Sequence, residues 1–273
     1  MTEPIIDAWI QHPTADFINH EMFASLRRWM GLDGELERDI PVEMTAGAME
    51  AAGIERALVS AWWGPQGPII SNEEVADIVE ARPDLFVGVG SVDLSRPMKA
   101  VRQVERCVED FGFVAIRALP WLWDLPPDDR RYYPVYTACV EHDVPFCLQV
   151  GHAGPLRPSE GGRPIPYLDH VALDFPELTI VGGHIGYPWT DEMIALARKY
   201  PNVYIDTSAY KPSRFPPQFV DYLQKGGHKK VMFGSNYPMI MPLDALEQLD
   251  RLGLDDDAER RFLYENAAEV FDL

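Results

Sequence analysis

The chain has 273 residues, 47% of them hydrophobic, enough to fill one large core, and its length suits a single α/β barrel or two smaller domains. Asp and Glu outnumber Lys and Arg by 43 to 24, and the resulting net charge of −19 argues against nucleic acid or an anionic membrane as a partner. Cys107, Cys139 and Cys147 show no CxxC spacing, and no leader-like segment or membrane-length apolar run is present, so buried free thiols in a cytoplasmic protein are expected.

Eight short apolar runs follow one another. They fall at residues 4–9, 56–61, 85–92, 113–117, 145–150, 178–181, 203–207 and 231–233. Each is almost continuously apolar rather than alternating, the pattern of strands buried on both faces of a parallel sheet. Helical stretches alternate with them, at residues 44–52, 73–81, 98–109, 133–141, 167–175, 191–199, 218–224 and 243–249, and residues 258–271 read as a closing helix. Asp, Ser, Thr or Pro precedes many of these helices, and Gly or Pro follows many. No Gly-rich phosphate loop follows the first strand, which disfavours a doubly wound open sheet. The expected fold is one (β/α)8 TIM-type barrel over residues 1–273, with an insertion at residues 11–41 after the first strand and a C-terminal helix. The Met22, Phe23, Leu26, Trp29, Met30 spacing in the insertion is helical and amphipathic, which suits a lid, a subunit contact or a cover for the barrel flank.

In such a barrel the chemistry sits at the C-terminal ends of the strands. Those positions hold Trp9, Gln11, His12, Trp62, Trp63, Asp93, Arg117, Gln149, His152, His184, Asp206, Thr207, Ser208, Ser235, Asn236 and Tyr237. His184 follows two glycines at the end of the sixth strand, and His12 and His152 fall in the same set. Three neutral imidazoles converging there would hold one Zn²⁺ or a similar divalent ion, with an open position for water. A single histidine acting as general base on water is the metal-free alternative, and a satisfied core histidine is the structural one. Arg117 has the planar fork that grips a carboxylate or polarises a carbonyl, or it closes a salt bridge in the barrel mouth. Trp62, Trp63, Trp121 and Tyr187 would form a slot for a flat ring or pack the loops. Arg157, Arg163, Lys211 and Arg214, in loops after the fifth and seventh strands, mark an anionic group on the substrate or are solvated charge.

Ile6-Asp7, Gly182-Gly183-His184 with Gly186, the run Tyr204-Ile-Asp-Thr-Ser208, and the run Phe233-Gly-Ser-Asn-Tyr-Pro238 resemble the amidohydrolase-2 branch of the amidohydrolase superfamily. That branch includes aminocarboxymuconate-semialdehyde and γ-resorcylate decarboxylases. The resemblance spans nearly the whole chain and implies the barrel fold, a small aromatic substrate and a homodimer. It also implies a metal set whose positions read Trp9, Gln11, Gln149, His184 and Asn236 here, so only His184 is retained. The metal is then absent, as in the related pyrone-dicarboxylate lactonases, or rebuilt around His12 and His152. Gln11-His12-Pro13, Gln149-Val-Gly-His152 and Gly186-Tyr-Pro-Trp189 are similar to a subgroup, the 4-hydroxyphenyl-β-ketoacyl-CoA hydrolases. That likeness implies retro-Claisen hydrolysis of an aryl β-ketoacyl-CoA in phenylpropanoid breakdown. Water activated by His184 or His152, or bound to metal, would attack, and Arg117, Asn236 or Gln149 would receive the oxyanion. Decarboxylation of an aromatic acid, a metal-free lactonase and an inactive barrel serving as a binding subunit are the competing expectations.

Overall fold

In the computed structural model, residues 4–31 and 36–273 are described, apart from the side chains of Trp29 and Met30, which belong to the amphipathic spacing in the insertion. Strands β1 (Ile6–Ile10) and β2 (Arg56–Ser60) come first. A hairpin of β3 (Trp62–Gly64) and β4 (Gly67–Ile70) follows. Then come β5 (Phe86–Gly90), β6 (Ala115–Ala118), β7 (Phe146–Gln149), β8 (Ile180–Gly183), β9 (Val203–Asp206) and β10 (Val231–Met232). Apart from the hairpin, they form one parallel sheet in chain order, β1-β2-β5-β6-β7-β8-β9-β10. The eight apolar runs of the sequence are these eight strands, each within a residue or two of its expected bounds.

The sheet closes on itself. The Ala8 amide donates to the Phe233 carbonyl at 3.0 Å, the Gln11 amide to that of Tyr237 at 3.0 Å, and the Asn236 amide to that of Trp9 at 2.8 Å. These bonds join the first strand to the last and leave no free edge in the barrel. Helices pack outside, for example Pro97–Glu109, which buries Ala100, Val104 and Cys107. Ser71 caps the helix Asn72–Ala81 in a reciprocal box with Glu74.

The two-residue period of a strand explains where the site begins. Ile6, Leu58, Val87, Ala115, Cys147, Val181 and Met232 pack together as the barrel interior, sealed below by Ala267 and Phe271 of the C-terminal helix. Two residues further along from Leu58, Ala115, Cys147 and Val181, Ser60, Arg117, Gln149 and Gly183 face the same way. On the second, fourth and fifth strands of the barrel the interior thus turns from apolar to polar. Gly183 has to be glycine, because a Cβ there would come within 2.5 Å of the Trp9 ring and 2.8 Å of Asp206 Oδ2.

The hairpin was not expected from the sequence. Residues 62–70 hold Gly64, Pro65, Gly67 and Pro68, which read as loop, but Trp62 pairs with Ile70 and Trp63 with Pro68. Antiparallel pairing sends Trp62 to one side and Trp63 to the other. In the insertion, Ala15–Asn19 and Ala24–Met30 are helical. The segment is tied across to the loop after β7 by Ser25 Oγ donating to the Gly154 carbonyl at 3.2 Å and by the Leu156 amide donating to that of Met22 at 2.9 Å.

Candidate active site

A cavity of 440 Å³ opens at the C-terminal end of the barrel. Its floor carries Gln11, Gln149, His184 and Asn236, and its walls include Phe17, Phe23, Trp62, Trp121 and Tyr210. Trp62 meets Trp121 edge to face at 5.8 Å and Phe17 at 5.0 Å, so the walls are a packed aromatic cluster and not loose loop side chains.

His184 and Asn236 have left-handed backbone, with φ of 68° and 64°. A histidine in that region costs free energy that the surrounding fold must offset, and such residues concentrate at functional sites. Asp206 Oδ1 accepts from the Ser208 amide at 2.9 Å and also from the Ser208 hydroxyl. With its proton committed to Asp206, Ser208 Oγ can only accept from His184 Nδ1, which lies 2.7 Å away. The proton is thereby placed on Nδ1, and Nε2 is left as a lone-pair acceptor with no partner among the described residues. Burial, the Arg117 charge and then His152 draw the His184 pKa down from 6.5 to about 3, so the ring is neutral at physiological pH.

The residues around it form a neutral hydrogen-bond chain. Trp9 Nε1 donates to Gln11 Oε1 at 3.1 Å. Gln11 Nε2 faces only oxygens, donating to the Asn236 carbonyl at 3.2 Å, to Asn236 Oδ1 at 3.1 Å and to the Tyr237 carbonyl. With Oδ1 engaged, the Nδ2 donors of Asn236 have no partner among the described residues. Gln149 Oε1 accepts from Trp121 Nε1 at 2.7 Å, and its Nε2 donates to the His152 carbonyl at 2.9 Å.

Beneath this floor lies a buried charged layer. Arg117 is 1% exposed, with its guanidinium 3.7 Å from the centre of the Trp9 ring. It donates to Ser60 Oγ and, at 3.0 Å, to the Ala8 carbonyl, while Nε has no partner. Burial pushes the Asp7 carboxyl up from 3.8 to about 7 and also raises Asp206, against the pull of Arg117. Asp7 Oδ2 and Asp206 Oδ2 are unpartnered.

Several expected site residues lie elsewhere. His12 is one residue past Gln11 and points away from the cavity, with Nδ1 2.9 Å from Thr45 Oγ1. It cannot join His152 and His184 around an ion, and among the described residues no three His, Cys, Asp or Glu side chains are placed to hold one. His152 does line the cavity with His184. Arg117 is not a lining residue, because Trp9 covers it. Trp63 turns outward under Lys99, 4.8 Å from its ring centre. Tyr187 is half exposed and rests on Tyr210 at 5.7 Å. Arg163 pairs with Glu192 at 2.6 Å and Lys211 with Asp244 at 2.7 Å. Arg214 is exposed, and Arg157 lines a separate cavity of 320 Å³. Phe17, Phe23 and Tyr210 were missed. The first two come from the insertion, and the third is two residues beyond Ser208.

An amidohydrolase family model matches residues 7–273. The chain belongs to the amidohydrolase family. Among its relatives, this amidohydrolase is 23% identical to γ-resorcylate decarboxylase of Polaromonas sp., over 74% of this chain and 75% of that protein. It also resembles an uncharacterized TIM-barrel protein from Bordetella bronchiseptica, with a TM-score of 0.84, 27% identity and 98% of each chain covered. Its fold matches 5-carboxyvanillate decarboxylase of Novosphingobium aromaticivorans, solved with bound manganese, with a TM-score of 0.74, 19% identity and 100% and 98% coverage. The donor set of this amidohydrolase does not fit such an ion. Its amide oxygens are committed to Trp9, Gln11 and Trp121, and among the described residues no carboxylate lines the cavity, Asp7 and Asp206 lying beneath its floor.

Proposed function

We propose that this amidohydrolase cleaves the bond between a carbonyl carbon and its neighbour in an aromatic compound, and that it does so by hydrolysis of an aryl β-ketoacyl thioester. The observation that carries the reading is the pairing of two free groups in one aromatic-walled cavity: His184 Nε2 as acceptor and Asn236 Nδ2 as donor. His184 takes a proton from water as its oxygen bonds to the ketone carbon. The carbonyl electron pair moves onto oxygen, and Asn236 donates to that oxyanion. Collapse re-forms the carbonyl and breaks the C–C bond, whose electron pair leaves as the thioester enolate. The enolate takes the proton from His184, giving an aromatic acid and an acyl thioester. The aryl ring lies against Trp62 and Trp121.

A second reading, nonoxidative decarboxylation of a phenolic acid, is favoured by the decarboxylase relatives. It too breaks a bond next to a carbonyl carbon beside an aromatic ring. Side-by-side assays decide between them. Release of aromatic acid and acyl-CoA from an aryl β-ketoacyl-CoA supports the hydrolase. Release of CO₂ from a dihydroxybenzoate, with the thioester left intact, replaces it by the decarboxylase.

A further inference from the structure

We infer that no divalent cation belongs to this site and that the Arg117 guanidinium, stacked beneath Trp9, is its fixed positive charge. The geometry of the floor supports the first half. Gln11 cannot turn an oxygen toward an ion, because its Nε2 already faces three oxygens and a flipped amide would set oxygen against oxygen. Gln149 and Asn236 have their amide oxygens engaged in the same way. That leaves the imidazoles of His184 and His152, two neutral ligands with no carboxylate, where catalytic zinc sites use three protein ligands. A dication would also sit above a guanidinium that repels it.

The second half rests on a residue that stability does not explain. Arg117 is buried, its Nε has no partner, and it makes no direct ion pair among the described residues. Its contact with the Trp9 ring returns far less than the desolvation of a buried charge takes away. Such a group is kept for the field it makes. Trp9 bears on Arg117 with one part of its surroundings and on His184 with another, its ring centre 4.8 Å from that of His184. The positive field thus reaches the cavity floor through the indole and not through contact. It favours a substrate carboxylate or a developing enolate above it. Arg117 is therefore a positioning residue.

The link to turnover rests on the C–C cleavage reading, whereas the exclusion of metal does not. The test takes the full chain, dialysed against a chelator. Metal content should be far below one ion per chain. Thermal unfolding should not shift with added Mn²⁺ or Zn²⁺, and turnover should stay within about twofold of the undialysed protein. In Arg117→Met, affinity for benzoate should fall about tenfold or more while affinity for the uncharged benzamide stays within about twofold, and Arg117→Lys should keep benzoate affinity near the wild-type value. Tightly bound stoichiometric metal, a tenfold or greater loss on chelation restored by Mn²⁺ or Zn²⁺, or an unchanged benzoate affinity in Arg117→Met would overturn the inference. Should Arg117→Met fail to fold, Arg117→Gln is read in its place by the same pair of ligands. If neither thioester nor dihydroxybenzoate turns over, the proposed reaction fails while metal content and thermal shift still judge this inference.

Discussion

His184 Nδ1 lies 2.7 Å from Ser208 Oγ, and the Ser208 hydroxyl donates its hydrogen bond to Asp206 Oδ1. The chain of three fixes which face of the imidazole carries hydrogen. In Ser208→Ala, His184 loses its acceptor and Nε2 is no longer held bare. Turnover should fall by roughly 10- to 100-fold with little change in KM, since the loss is of an acid–base group and not of binding. A rise in KM at constant kcat would show that Ser208 serves binding instead.

Replacing His184 itself should cost more. His184→Gln should lower kcat on the order of 10²- to 10⁴-fold while leaving the circular dichroism spectrum unchanged. Near-normal turnover in that variant would remove His184 from the reaction.

The aromatic walls predict the opposite kinetic signature. Trp62 meets Trp121 and Phe17 in the cavity wall. Trp62→Ala should raise KM about tenfold or more, with a smaller change in kcat, because ring contacts are made equally in the ground and transition states. An unchanged KM for an aromatic substrate would place the ring elsewhere.

Two buried groups pull stability in opposite directions with pH. The folded-state pKa of His184 is depressed from 6.5 to about 3, so its contribution is complete above 6.5 and is lost as pH falls toward 3. The Asp7 pKa is raised from 3.8 to about 7, so its contribution is complete below 3.8 and is lost as pH rises to 7. Between 3.8 and 6.5 the two oppose each other and flatten the profile. Asp7→Asn keeps the oxygen that accepts from the Ser235 and Trp9 amides at 2.9 and 3.2 Å and removes the titration. Relative to wild type, it should gain on the order of a few kcal/mol between pH 4 and pH 8 in urea melts. A pH-independent difference would mean that Asp7 does not titrate in this range.

Gly183→Ala puts a methyl group against Trp9 and Asp206. Overpacking there should cost about 1–3 kcal/mol and should disturb the site as well as the fold. A stability equal to wild type would show that Trp9 has room to move.

The barrel was legible because its strands are buried on both faces and leave near-continuous apolar runs. The Trp62–Ile70 hairpin was not, since Pro68 and two glycines mask a pairing that only the loop geometry creates. The strand-end rule located His184, Gln149, Gln11 and Asn236. It failed for His12, where one residue reverses the direction of the side chain, and for Arg117, which faces inward but lies a layer below Trp9. The partners of Arg163 and Lys211, Glu192 and Asp244, sit 29 and 33 residues away, so no local pattern could separate paired from free charge. Asp206 and Ser208 belong to the strand-end set, and Asp206 orients His184 through Ser208. Asp206-Thr207-Ser208 is the spacing at which an aspartate accepts from the amide two residues on, and that turn is what aims Ser208 at His184.

The bonds that seal the barrel run through the same residues that floor the cavity: the Gln11 amide and side chain reach Tyr237 and Asn236, and the Asn236 amide reaches Trp9. Opening the seam between first and last strands would therefore dismantle the site before any other part of the barrel came apart. A ligand that bridges His184 and Asn236 would act as a clasp on that seam, slowing amide exchange at residues 8, 11 and 236 ahead of the rest of the sheet. Sequence change is constrained in the same way, because a substitution at Gln11 is answered at once by the closure of the fold and by the floor of the cavity.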